Sequence, residues 1–180
     1  MQPPNEPTAS RIAPPRADVQ RWGLLPTPRT FELRVPPLII GLVLGAMMGA
    51  TARMSAVFAF GLPAGRIIGV GLAIAGLVAG MLGVVAFRGA GTTVNPLQPA
   101  AASHLVVSGI YRWTRNPMYL GMLLVLLGWG AFLANALAIA LAAAFIPVMN
   151  RLQIGPEERI LAAHFGTSFA AYRSAVRRWL

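Results

Sequence analysis

The sequence predicts an all-α integral membrane protein with about four transmembrane helices, the last two forming a hairpin, capped by a long polar loop and C-terminal helices. Three observations carry that prediction. The 180 residues are 56% hydrophobic and only 11% charged, with a mean hydropathy of +0.64, a balance outside the soluble range. Several apolar runs approach the length that crosses a hydrocarbon core. The basic residues are all arginines, and they sit in the N-terminal segment or at the ends of the apolar runs.

Residues 1–33 are rich in proline and arginine. Such a segment buries too little apolar surface to offset its ordering entropy, so it reads as a disordered basic tail. The membrane domain is expected over 34–180. Its first span, about 35–52, opens at Pro36 and Pro37 and carries Gly41, Gly45 and Gly49 at four-residue spacing, a flat face for a neighbouring helix. Arg53 ends it, and Pro63 and Gly65 break the connection. The second span, about 67–87, carries Gly69, Gly76, Gly80 and Gly83, again a packing signal.

Residues 88–118 differ in kind, because glycine, proline and asparagine interrupt any helix there. A loop of that length inside a compact protein is either functional or disordered, and the first reading is preferred. The apolar stretch that follows is too long for one crossing. It splits into spans of about 117–133 and 135–151, turning near Leu133, Ala134 and Asn135, with Asn135 as N-cap and Pro147 as a kink. A last helical region, 156–179, starts at Pro156 with Glu157 and Glu158 in its first turn, where carboxylates favour the helix dipole. Gly166 interrupts it, and Phe169, Tyr172, Val176 and Trp179 then recur at helical spacing.

Charge sets the orientation. With four crossings, Arg11 to Arg34, Arg88, Arg112, Arg115 and every later arginine fall on one side, and only Arg53 and Arg66 on the other. The bias places the N-terminus, the 88–118 loop and the C-terminus in the cytoplasm. The net charge of +10 is therefore a topology signal; no soluble basic face for nucleic acid is present. Cysteine is absent and the two histidines, His104 and His164, are far apart, which argues against a protein-ligated metal.

Arginines, aromatics and a helix start crowd together in one stretch, Gly109 to Gly121. Asn116 and Pro117 read as N-cap and first helical residue. Arg112 and Arg115 bring guanidinium groups to the same water–lipid boundary, a place to hold a polar, partly anionic ligand beside an apolar one. Arg112 is better read as a topology anchor, Arg115 as functional; Trp113, Trp129 and Tyr172 read as interfacial residues.

Leu105, Val106 and Val107, then Gly109, Tyr111, Arg115, Asn116, Pro117, Tyr119 and Gly121, followed by Glu157, Glu158, Leu161, Phe165, Gly166 and Tyr172, form a two-part pattern. It resembles the isoprenylcysteine carboxyl methyltransferase family of membrane enzymes, and phospholipid methyltransferases share a similar C-terminal half. The resemblance covers about residues 88–179 and names a superfamily better than a substrate. It implies S-adenosyl-L-methionine as cofactor, in a cytoplasm-facing pocket. Ser103, His104, Leu105 and Val106 would line the nucleoside side, Tyr111 would touch the cofactor, and Asn116, Pro117, Met118 and Tyr119 would wrap it. Glu157 would meet its polar groups. Arg115, with Glu158, is the catalytic candidate, orienting an anionic acceptor. Many relatives carry histidine where Asn116 stands, and prenylcysteine enzymes carry arginine where Gln153 stands; Gln153 and nearby Arg151 are the candidate substrate contacts.

Methyl transfer from a sulfonium is an in-line displacement, so alignment and water exclusion are the work left to the protein. The expected acceptor is a lipophilic small molecule or lipid-anchored group arriving through the bilayer. Two other readings compete. Sterol-type membrane reductases using NADPH have a similar motif ending but are usually longer, and a non-enzymatic assembly subunit needs the loop only as a cap.

Overall fold

The computed structural model describes residues 11–12, 32–90 and 104–180. Six α-helices dominate, in the order α1 Pro37–Met54, α2 Gly65–Gly89, α3 Pro117–Leu133, α4 Ala136–Met149, α5 Gly155–Phe165 and α6 Thr167–Ala175. A two-residue strand, β1 Arg11–Ile12, pairs antiparallel with β2 Leu105–Val106. The chain is thus an all-α protein with several long apolar helices, as a multi-pass membrane fold requires. Among the described residues, three stretches, Pro37–Met54, Gly65–Gly89 and Ala136–Phe165, are long and apolar enough to cross a bilayer, and α3 is a shorter apolar helix.

Helix α2 shows an inside-out pattern. Its buried residues are Gly65, Gly69, Gly76 and Gly83, whereas Ile67, Ile74, Leu77, Met81 and Val85 are exposed. In water that arrangement would waste the apolar side chains; in lipid it costs nothing, and close backbone approach supplies the packing. The partner is α3, running antiparallel. A Cβ at Gly76 would stand 2.5 Å from the Gly121 carbonyl oxygen, and one at Gly69 would stand 2.6 Å from that of Gly128. The seven-residue spacing of these glycines keeps one seam facing its neighbour over several turns.

Helix α3 lies between α2 and the pair α1–α4. Met48 of α1, Leu123 and Leu126 of α3, and Ala138, Ala142, Phe145 and Met149 of α4 form the main core. Trp129 donates from Nε1 to the Gly45 carbonyl at 3.1 Å, pinning α3 to the glycine face of α1. At the far end, the turn between α3 and α4 uses Ala134 in the left-handed region, and Asn135 accepts from the Leu137 and Ala138 amides as N-cap.

The expected break between a span ending at Arg151 and a separate helix at 156 is absent. Asn150–Ile154 forms a π-helical turn in which the Gly155 N–H donates to the Asn150 carbonyl. The widened turn carries the chain past Pro156, which has no N–H to give, and α4 continues into α5 without an exposed helix start. Gly166 does end α5, with φ 54° and ψ −123°, a conformation reserved for glycine.

Candidate functional site

The end of the bundle opposite the α3–α4 turn gathers the two halves of the sequence pattern. Gly109–Arg112 is a short 3-10 turn that buries Tyr111, and Pro117 then opens α3. Tyr119 sits one turn into α3 and donates its hydroxyl hydrogen to Glu157 Oε1. Residues 38 positions apart are thereby joined by one hydrogen bond at the rim of the apolar core.

Adjacent carboxylates on α5 point to different partners, because successive helical residues diverge by about 100°. Glu157 faces Tyr119, and among the described residues no basic side chain pairs with it. Glu158 is buried between two guanidinium groups. Arg115 Nη2 lies 2.8 Å from its Oε1. Arg178 grips it with a fork, Nη2 at 2.5 Å from Oε2 and Nε at 3.1 Å from Oε1. Such paired, hydrogen-bonded charges tolerate burial where a lone carboxylate would not. Both glutamates thus have side-chain partners outside their own helix.

Arg115 is committed on every side but one. Its Nη1 donates to the Arg173 carbonyl at 3.0 Å and to the Val176 carbonyl, while its Nε is buried without a partner. Asn116 occupies the N-cap position yet does not cap α3 with its side chain; Nδ2 donates instead to the Arg178 carbonyl at 2.9 Å. Pro117 and Met118 pack against Gly83 of α2.

Behind this rim, Leu105 packs with Phe165 and Phe169. Val106 packs with Ala90 and Tyr111. The Tyr111 ring meets Phe87 edge-on at 5.3 Å, and Tyr172 donates to the Tyr111 carbonyl at 2.8 Å. Burial, with smaller contributions from Tyr172 and Glu157, pushes the Tyr111 phenol well above its usual range. Burial does the same to Tyr172, against a smaller opposing influence from Arg115. Both phenols stay neutral donors at physiological pH.

The remaining candidates scatter. Gln153 is fully buried, donates from Nε2 to the Val35 carbonyl at 2.5 Å, and leaves its Oε1 without a partner. Arg151, two residues earlier, is exposed. His104 is partly buried beside β2. Ser103, most of the 1–33 tail and the middle of the 88–118 loop lie outside the described residues.

Four residues in this network carry no motif signal: Thr114, Asn150, Arg178 and Trp179. Thr114 Oγ1 and Asn116 Nδ2 share the Arg178 carbonyl, at 3.3 and 2.9 Å. Asn150 Oδ1 accepts from Arg178 Nη1 and Trp179 Nε1. The helical spacing expected through Trp179 stops at Ala175, and Arg178 and Trp179 lie in the extended segment beyond α6, so only their placement reveals them. Among the described residues Glu157 has the Tyr119 hydroxyl as its side-chain partner, which leaves the carboxyl group short of donors. It fits the ammonium group and hydroxyls of an adenosyl amino-acid cofactor better than it fits an anion.

Comparison with known proteins agrees. Residues 64–168 match the family model described as phospholipid methyltransferase. A stretch of 63 residues is 46% identical to an uncharacterized protein of Haemophilus influenzae, covering 35% of this chain and all of that relative. A match over more than half of the sequence, falling on the helices that build the site, decides the matter: the chain belongs to the phospholipid methyltransferase family, membrane-associated enzymes whose methyl donor is S-adenosylmethionine.

Proposed function

We propose that this protein transfers the S-adenosylmethionine methyl group to a lipophilic acceptor at the cytoplasmic surface of the membrane. The observation that carries the reading is the Tyr119–Glu157 hydrogen bond, which joins the start of α3 to α5 beside the apolar core. When bound, the cofactor would supply an electrophilic methyl on a sulfonium, with the neutral thioether S-adenosylhomocysteine as leaving group when the acceptor takes the methyl. Glu157 holds the cofactor's ammonium group, and Tyr119 fixes that carboxylate by donating to it. Tyr111, with Leu105 and Val106, excludes water from the nucleoside side, and Asn116, Pro117 and Met118 shape the opening toward α2.

A lipid amine is favoured over a prenylcysteine carboxylate as acceptor. A carboxylate calls for a guanidinium fork, yet Arg115 has given both Nη atoms to Glu158 and to backbone carbonyls. Glutamine stands at 153, where prenylcysteine enzymes have arginine, and Arg151 is exposed. The uncompensated carboxylate of Glu157 suits a site whose ligands bring positive charge. Arg115 and Glu158 then hold the site's shape instead of touching the acceptor.

The test is a titration of purified protein with S-adenosylhomocysteine. Saturable binding is expected, weakened about tenfold or more by Tyr119→Ala or Glu157→Ala through loss of a charge-assisted contact. No binding at high ligand, or binding of NADPH in its place, overturns the reading.

A further inference from the structure

We propose that Arg178, ten residues beyond the family match, is a positioning residue that sets the separation of the two halves of the site. The inference rests on the methyltransferase reading of that site. After α6 the chain turns extended at Val176, with φ −124° and ψ 136°. Residues 176–179 then form a strap lying across the start of α3 and the π-helical turn.

Arg178 reaches both halves at once. Its carbonyl oxygen accepts from Thr114 Oγ1 and Asn116 Nδ2, immediately before α3. Its guanidinium forks onto Glu158 of α5 and reaches Asn150 Oδ1 at 3.3 Å. On one side the next helical turn presents Tyr119; on the other the next residue is Glu157. Neighbouring bonds keep the strap in register: the Arg115 N–H donates to the Arg177 carbonyl at 3.0 Å. Trp179 donates to Asn150 and packs edge-on against Phe145.

The strap is therefore more than a tail resting on the bundle. Arg115 Nη1 donates to the Arg173 carbonyl of α6 and the Val176 carbonyl of the strap, and its Nη2 to Glu158, so its position depends on the Arg178 side chain through the carboxylate they share. Lysine cannot reproduce this fork, since its N–H donors radiate from a single nitrogen, whereas Arg178 spreads Nε, Nη1 and Nη2 over both Glu158 oxygens and Asn150. Losing the fork lets α5 and the α3 start relax apart, and alignment-dependent chemistry is sensitive to shifts of about 1 Å.

The experiment measures S-adenosylhomocysteine affinity and thermal midpoint on the full-length protein in detergent or nanodiscs. A silent wild type removes the methyl-transfer reading and this proposal with it. With a binding wild type, Arg178→Ala is expected to raise Kd about tenfold or more, and millimolar guanidinium to restore most of that loss. Arg178→Lys, which keeps the charge and the folded state, is expected to fall between the two and carries the test if the alanine variant does not fold. A folded Arg178→Ala or Arg178→Lys protein with wild-type affinity overturns the proposal. So does a loss of affinity that follows the drop in thermal midpoint and resists guanidinium.

Discussion

Glu157 and Glu158 show how much one bond along a helix can separate two identical side chains. The first keeps a single tyrosine as partner, and the second is shared by two arginines. The site's tyrosines add a pH signature. Tyr111 and Tyr172 are raised above their ordinary value of 10.0 by burial, outside the spanning helices. Below that value both folded and unfolded chains carry neutral phenols, and folding is unaffected. Above it the unfolded chain ionises while the folded one does not, so stability is lost as pH rises, by about 1.4 kcal/mol per unit for each tyrosine. Thermal melts between pH 9 and 11 should fall steeply for wild type and less steeply for Tyr111→Phe. Equal slopes would mean that Tyr111 is open to water.

Among the helices, the α2–α3 seam is the most demanding. Gly76 and Gly71 are both helical glycines on α2, yet a Cβ at Gly76 meets the Gly121 carbonyl oxygen at 2.5 Å and one at Gly71 meets nothing within 4 Å. Alanine favours a helix over glycine by up to about 1 kcal/mol, so Gly71→Ala should leave stability unchanged or raise it. Gly76→Ala should lower stability by about 1–3 kcal/mol, because the obstacle is rigid backbone. Melting in detergent compares the two. A stable Gly76→Ala protein would show that α2 is held against α3 more loosely than the glycine seam requires. Since Pro117 and Met118 pack on Gly83 of that seam, its loosening should also weaken cofactor binding.

At the scale of the whole molecule, arginines at the site-bearing end far outnumber the pair, Arg53 and Arg66, at the other. With four crossings, that bias is expected to direct the site end to the cytoplasm. The absence of cysteine makes the expectation easy to check, because single cysteines can be introduced cleanly. In intact cells a membrane-impermeant maleimide should label Gly61→Cys and spare Ser174→Cys until the membrane is opened. Labelling of both, or the reverse, would reject the four-crossing orientation. Among the described residues the fold gathers Tyr111, Arg115, Tyr119, Glu157, Glu158 and Arg178 at one end of the bundle.

Local patterns were enough to predict the long apolar helices, the turn capped by Asn135 and the crowding of polar residues around Asn116 and Pro117. Each depends on neighbours within a turn or two: apolar run length, a side chain reaching its own helix start, a proline without an N–H. The same logic went astray at 151–156, where glycine and proline suggested a new helix and a π turn carried the old one through. It had no means of seeing that Asn116 would turn from its own helix to the Arg178 carbonyl, or that Arg115 and Arg178 would share Glu158. Those bonds join residues 20 to 62 positions apart. No periodicity encodes them, because they exist only once packing has brought the C-terminal strap across the start of α3.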